Sequence, residues 1–236
     1  MKLIKRNKKP KLLISFQSTE EISDVEIEFV DILDLKDPVK GSLGAWKIKY
    51  IKNVVKNFGK ITKISATLGD LKDYDLIVKK INSFDKLGLD FIKFGIFENN
   101  ENKIEKIFKI IFQCNLQTTL VPVIFVDFPK IKEWAFNNLD RFLSFGFKYI
   151  LLDTFKKNSK NLLEICNENL LNNFILESTK LGIKVGLAGK LELKHLNILS
   201  KLNPRIIGFR SGVCENNNRI GKVSNNKVKE ISSLIH

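Results

Sequence analysis

The sequence predicts an α/β protein that folds as a single (β/α)8 TIM barrel. Its 236 residues are a normal length for one such barrel. Short apolar runs alternate eight times with amphipathic segments, as strands alternate with helices in a closed parallel barrel. No linker or change of composition divides the chain, so we expect one domain over residues 12–236, preceded by a basic tail over residues 1–11.

The eight apolar runs have the length and composition of strands that are buried on both faces. They are LLISF (12–16), VDILDL (30–35), KISATL (63–68), FIKFGI (91–96), LVPVIFV (120–126), YILLDT (149–154), KVGLAG (184–189) and IIGFRS (206–211). An open doubly wound sheet is the competing arrangement. It would carry a glycine-rich phosphate loop after the first strand, which the segment SFQSTEE (15–21) lacks.

Apolar residues recur with helical period in four segments between these strands, at 46–58, 76–88, 101–113 and 130–145. Ser18 and Glu21 have the spacing of a capping box that opens the first helix. Three glycines stand just before a strand, where helices commonly end: Gly88, Gly146 and Gly182.

The formal net charge of +14 is also typical of nucleic-acid-binding proteins. A basic nucleic-acid-binding protein is therefore the alternative to an enzyme. The lysines are scattered through nearly every segment, however, and only the first eleven residues form a basic cluster. We therefore expect a solvated tail and no nucleic-acid partner, with a basic field that attracts an anionic substrate. The sequence does not specify the oligomeric state, and an assembly of identical subunits is compatible with it.

The chain has no apolar run of the roughly 18 residues that a membrane span needs, and no secretion signal is recognised. Its three cysteines are far apart and odd in number, which favours reduced thiols over a disulfide framework. We expect a cytoplasmic protein without a membrane partner.

Two lysines stand inside apolar strands, near the carboxyl ends where barrel enzymes place their chemistry: Lys36 and Lys93. A lysine with apolar neighbours is costly to bury with its charge, and a neutral amine is a nucleophile for carbonyls or a base. The alternative is a lysine that reaches water or pairs with an aspartate. Lysines near strand aspartates predict Schiff-base chemistry with proton transfer. The sixth strand carries Asp153, and Lys157 lies just beyond it.

The last two strands predict a phosphate cradle. The segments GLAGK (186–190) and GFRSG (208–212) place small residues where backbone N–H groups can approach an anion. The candidate ligands are Gly186, Gly189, Lys190, Arg210 and Gly212, with Asp70 as a further candidate after the third strand. Alternatively, these glycines only make tight turns. No Walker loop or metal-ligand cluster occurs, so we expect neither a metal nor another cofactor.

At these strand ends the sequence resembles the (5-formylfuran-3-yl)methyl phosphate synthase family. The matching stretches occur in the family's order and span nearly the whole barrel: DLKDPVKGSLGA (34–45), SATLGD (65–70), DFIKFGIF (90–97), LLDTFKKN (151–158), GLAGKL (186–191) and GFRSGVC (208–214). The long first stretch is the most specific of them. The loop after Cys214, ENNNRIGK, departs from the family's glycine-rich pattern, so the resemblance assigns no role to Arg219.

The resemblance implies a lyase that condenses two molecules of glyceraldehyde 3-phosphate to a furan aldehyde phosphate, with loss of phosphate and water, in methanofuran-type cofactor biosynthesis. It implies that Lys36 forms the Schiff base and that Lys93 is the proton acceptor. It also implies that Asp153 and Lys157 assist. Another class I aldolase acting on a phosphorylated sugar is the alternative on the same barrel.

Overall fold

Eight parallel strands form a closed barrel in the computed structural model, which describes residues 9–156 and 160–236. The strands are β1 (Lys11–Phe16), β2 (Ile32–Leu35), β3 (Lys63–Thr67), β4 (Phe91–Gly95), β5 (Thr119–Phe125), β6 (Tyr149–Asp153), β7 (Lys184–Leu187) and β8 (Ile206–Phe209). Each pairs with the next, and β1 closes the barrel on β8 with Leu12 opposite Ile207. The predicted TIM barrel and its eight runs are confirmed, with strand ends that differ by one or two residues.

Helices cover the outside of the barrel. In the described residues they are α1 (Thr19–Ser23), α2 (Ile48–Phe58), α3 (Tyr74–Asp85), α4 (Glu101–Gln113), α5 (Pro129–Asn137), α6 (Leu139–Ser144), α7 (Leu162–Ile165), α8 (Glu168–Lys180), α9 (Leu196–Leu202) and α10 (Asn225–Ile235). Short 3-10 turns add Ile27–Phe29, Pro38–Lys40, Leu193–His195, Ser211–Val213 and Glu215–Asn217. None of these helices has the length and apolar content needed to cross a membrane.

The segment at 130–145, predicted as one helix, is two. Asn138 has a non-helical ψ of 41° and separates α5 from α6. Its side-chain amide donates to the carbonyl of Trp134 at 2.8 Å, a local bond that competes with the helical ladder. The apolar period passes through this break unchanged, so the pattern alone did not reveal it.

The predicted ends of the helices are largely confirmed. Gly146 and Gly182 follow α6 and α8 with φ of 78° and 77°, the left-handed conformation that ends a helix. The Ser18 side chain accepts the N–H of Glu21 at 3.2 Å and so caps α1. Glu21 does not complete the capping box, because its carboxylate accepts the N–H of Gln17 at 2.8 Å instead.

The interior of the barrel is apolar at the bottom and charged at the top. Alternate residues of each strand face the barrel axis. Leu13, Ile32 and Ile206 pack together at the amino ends of their strands. Nearer the carboxyl ends, polar and charged side chains are also buried: Ser15, Asp34, Lys36, Thr67, Lys93 and Asp153. The strands therefore deliver charged groups to one mouth of the barrel.

Of the predicted basic tail, residues 1–8 lie outside the described residues, and Lys11 already belongs to β1.

Candidate active site

A cavity of about 260 Å³ opens at the carboxyl ends of the strands. Strands from both halves of the barrel and the loop after β8 contribute to its wall. The lining includes Ser15, Lys36, Lys93, Asp153, Gly189, Lys190, Glu192, Arg210, Ser211 and Arg219. The predicted catalytic residues that the structure describes therefore share one cavity with part of the predicted phosphate cradle. Lys157 lies outside the described residues.

Lys93 forms a buried ion pair with Asp34. Its Nζ lies 2.6 Å from Asp34 Oδ2, and the side chains are 3% and 0% exposed. The hydroxyl of Ser15 donates to the same oxygen at 2.7 Å. The sequence left open whether Lys93 is a neutral amine, reaches water or pairs with an aspartate, and the structure shows the pair with an aspartate. Removing two charges from water is costly, so such a pair inside a barrel is weak evidence for stability and points to chemistry.

Lys36 has a second aspartate beside it. Its Nζ lies 3.9 Å from Asp153 Oδ2, and both side chains are buried. The other carboxylate oxygen of Asp153 accepts the N–H of Thr154 at 2.7 Å, which fixes the orientation of the carboxylate. The cavity lining thus includes two lysines: Lys36 lies beside Asp153, which also lines the cavity, and Lys93 pairs with Asp34, which is fully buried and not part of the lining.

The strand register places these two lysines in neighbouring layers of the barrel. Leu35 of β2 pairs with Ala66 of β3, and Thr67, the next residue of β3, pairs with Lys93 of β4. Because the strands tilt, Asp34 shares a layer with Lys93, and Lys36 lies one layer nearer the mouth, with β3 between them. A small molecule bound to one lysine can be reached by the other.

Arg210 binds protein groups rather than facing an open phosphate subsite. Its Nη1 donates to Glu21 Oε2 at 2.6 Å and to the carbonyl of Ser15 at 2.9 Å. Its Nε and Nη2 donate to the carbonyls of Arg219 and Gly221 at 2.7 and 2.9 Å. The guanidinium thus ties the loop after β8 to α1, and the role of Arg210 as a phosphate ligand stays a prediction.

Three other predicted phosphate ligands also have structural roles. Both carboxylate oxygens of Asp70 accept backbone N–H groups at 2.8 Å, from Ser42 and Leu43, and so shape the loop after β2. A Cβ on Gly212 would lie 2.2 Å from the carbonyl oxygen of Leu191, so this glycine permits a close approach of the loops after β7 and β8.

Gly186 lies within β7, where a Cβ would approach the Leu151 side chain to 2.7 Å. Gly189 and Lys190 remain at the cavity wall. Gly189 has a φ of 105°, and a Cβ there would lie 3.0 Å from the backbone nitrogen of Thr154. Both observations require glycine at that position. The phosphate cradle that the geometry supports is thus smaller than the predicted one.

The sequence interpretation left two residues out of its candidate site. Asp34 stands two residues before Lys36, so the two-residue period of a strand already places both on one face, and that signal was available. Arg219 lies in an irregular loop with no period to indicate its direction. Burial lowers the pKa of Arg219, and attraction to Asp153 partly opposes that shift.

Comparisons with known proteins identify the family of the chain. The family model for 4-HFC-P synthase matches residues 12–232. The (5-formylfuran-3-yl)methyl phosphate synthase of Archaeoglobus fulgidus is 28% identical over 96% of this chain and 99% of that protein. The enzyme of the same name from Methanosarcina mazei is 30% identical over 86% of this chain and 90% of that protein.

Among solved structures, phosphoribosyl anthranilate isomerase from Thermus thermophilus is similar in fold, with a TM-score of 0.63 at 14% identity over 95% of this chain and 97% of that one. The family match covers nearly the whole barrel, including every strand that contributes to the cavity. The chain therefore belongs to the 4-HFC-P synthase family and is an enzyme similar to the curated (5-formylfuran-3-yl)methyl phosphate synthases.

Proposed function

We propose that the protein condenses two molecules of glyceraldehyde 3-phosphate to (5-formylfuran-3-yl)methyl phosphate, through an imine on Lys36 and with loss of phosphate and water. The observation that carries the proposal is the presence of two buried lysines in the lining of one cavity, each paired with a buried aspartate: Lys36 with Asp153 and Lys93 with Asp34. The names of the related enzymes support the furan product.

The first step uses Lys36 as the nucleophile. Its neutral amine attacks an aldehyde carbon, and the resulting carbinolamine loses water to give an imine. The oxygen that leaves must gain a proton, and the nitrogen must lose one. Asp153, 3.9 Å from Nζ, is placed to exchange these protons with the reacting centre.

The second step removes a proton from the carbon next to the imine, which its positive charge acidifies. Lys93 lines the same cavity as Lys36 and shares a hydrogen bond of 2.6 Å with Asp34. A lysine and a carboxylate in this contact act together, because a proton accepted by one is shared with the other. The pair can take a proton from carbon and return it when water leaves. Ser15 keeps Asp34 oriented through its 2.7 Å bond.

The substrate phosphate is held beside Asp153, at the loop after β7. Gly189 and Lys190 of this loop line the cavity, and a Cβ on Gly189 would lie 3.0 Å from the backbone nitrogen of Thr154, the residue after Asp153. The ammonium of Lys190 offers a charge, and the glycine lets the backbone approach closely.

The proposal is tested by incubating the protein with glyceraldehyde 3-phosphate. We expect a furan chromophore and free phosphate to appear together in a fixed ratio. A phosphorylated sugar formed without furan or phosphate release would contradict the proposal and favour another class I aldolase. If the triose phosphate does not react at all, both the furan-forming reaction and the aldolase alternative are contradicted.

Lys93→Ala is expected to let the imine at Lys36 form while furan formation falls by about 10²–10⁴-fold, the usual contribution of a general base. Borohydride trapping measures the first event, and the furan absorbance measures the second. If trapping is lost as well, Lys93 is required for imine formation. Turnover within about tenfold of wild type would make Lys93 a structural lysine.

This substitution leaves Asp34 without its partner, so a fold control is needed. The double variant Asp34→Asn with Lys93→Met removes both charges at nearly constant volume. We expect it to melt close to wild type, since a buried ion pair and its neutral replacement are often similar in stability. It should remain unable to form furan, which separates the loss of chemistry from a loss of folding.

A further inference from the structure

We propose that Arg219 binds a phosphate group of the substrate, presented over the barrel mouth by the loop that joins β8 to α10. The identity of the ligand as a triose phosphate rests on the proposed function. The anion subsite itself rests on the geometry of this loop.

The loop after β8 reaches past β1 and contacts the loop after β2. Asn217, Asn218 and Arg219 line the same cavity as Lys36 and Asp153. The Nη2 of Arg219 donates to the carbonyl of Gly41, in the loop after β2, at 2.9 Å. Arg219 therefore stands between the first and last parts of the wall, above the reacting lysine.

The guanidinium of Arg219 has donors to spare. It carries five N–H groups, and within residues 9–156 and 160–236 the Gly41 carbonyl is the acceptor found for its side chain. The side chain is half-buried, so the remaining donors have lost part of their hydration without gaining a protein acceptor. A planar guanidinium in this state matches the oxygens of a phosphate, which it can bind through two parallel hydrogen bonds.

The surrounding charge favours an anion. Among the described residues, the lining of the cavity includes five cationic side chains, Lys36, Lys93, Lys190, Arg210 and Arg219, against two carboxylates, Asp153 and Glu192. Arg210 is paired with Glu21 and Lys93 with Asp34, so Lys36, Lys190 and Arg219 remain against Asp153 and Glu192. Within the described residues, Arg219 is the arginine of the lining whose guanidinium has unfilled donors.

The backbone of the loop is fixed on both sides of Arg219. Arg210 donates to the carbonyls of Arg219 and Gly221. Glu21 accepts the N–H of Val223 at 3.0 Å and anchors Arg210 through their ion pair. A binding group held by such supports is positioned before the ligand arrives, which reduces the entropic cost of binding.

The competing interpretation is that Arg219 only fastens two loops through Gly41. If Arg219 only joined the two loops, its replacement would lower the stability of the protein and leave the affinity for anions unchanged. The two roles are separated by measuring the binding of a phosphate ester that does not react.

Glycerol 3-phosphate is a suitable probe, because it has the phosphate and the three-carbon chain but no aldehyde with which to form an imine. Its binding is measured by isothermal titration calorimetry, with glycerol as the uncharged control. We expect Arg219→Gln to weaken binding by about tenfold or more, and Arg219→Lys to retain part of the affinity. Lys222→Gln is the matched control, because Lys222 is an exposed cation of the same loop, outside the cavity lining. It should change binding by less than about twofold.

Unchanged binding in Arg219→Gln would overturn the inference, and so would equal weakening in Arg219→Gln and Lys222→Gln, which would show only a diffuse field. Failure of the proposed function is distinguishable from this. If wild type binds glycerol 3-phosphate through Arg219 yet makes no furan, the subsite stands and the reaction is wrong. If wild type makes furan and Arg219→Gln leaves the KM and the probe affinity unchanged, the reaction stands and the subsite is wrong.

Discussion

Lys36→Arg is expected to abolish furan formation and borohydride trapping together, with turnover reduced by at least about 10³-fold. Arginine keeps a positive charge beside Asp153, but its guanidinium stays protonated at all working pH values and forms no imine. In wild type, borohydride added with glyceraldehyde 3-phosphate should leave a stable adduct. Mass spectrometry of the digested protein should locate it on the peptide that contains Lys36.

Lys40→Arg provides the matched control. Lys40 lies four residues further on, exposed and paired with Asp37 at 2.6 Å on the surface. This variant should trap substrate and turn over as wild type does. An adduct on a different lysine, found together with an active Lys36→Arg protein, would refute the assignment of Lys36.

Arg210→Ala is expected to lower the free energy of unfolding by about 3–5 kcal/mol, the usual cost of removing one partner from a buried ion pair. Glu21 would be left buried with its charge, since its side chain is 4% exposed and 2.6 Å from Arg210 in the folded protein. Urea denaturation followed by circular dichroism measures the change.

Two comparisons make this result specific. Arg141→Ala removes an arginine from a surface pair with Glu105, at 3.3 Å, and should cost less than about 1 kcal/mol. The double variant Glu21→Gln with Arg210→Met removes both charges and should recover part of the loss. If Arg210→Ala lowers the free energy of unfolding no more than Arg141→Ala does, the buried pair contributes no more to stability than the surface pair.

The strands were predictable because each is a local pattern. Buried parallel strands are continuous apolar runs, and the chain contains eight of them separated by helical periods. The break at Asn138 was not predictable in this way. The break depends on the hydrogen bond from the Asn138 side-chain amide to the carbonyl of Trp134, and the apolar period does not indicate that bond.

The site was predictable to the extent that a single strand reveals it. Lys36 and Lys93 stand out because lysine is unexpected in an apolar strand, and both line the cavity. The partners were harder to find, because they come from other strands. Lys93 pairs with an aspartate of β2, and Arg210 with a glutamate of α1 that looked like a simple capping residue. Only the closed barrel brings these groups together.

The ion pair between Glu21 and Arg210 joins residues that are 189 positions apart in the chain. Contacts of such long range form late in folding, since the entropy of closing the intervening chain is lost before the contact contributes. The chain up to β7 already contains both lysines of the cavity, yet it lacks β8 and the loop that carries Arg210. The protein therefore becomes able to bind ligand only at the last stage of folding, when β8 pairs with β1. A chain arrested on the ribosome before β8 emerges cannot close the barrel, because β8 supplies the strand that pairs with both β1 and β7.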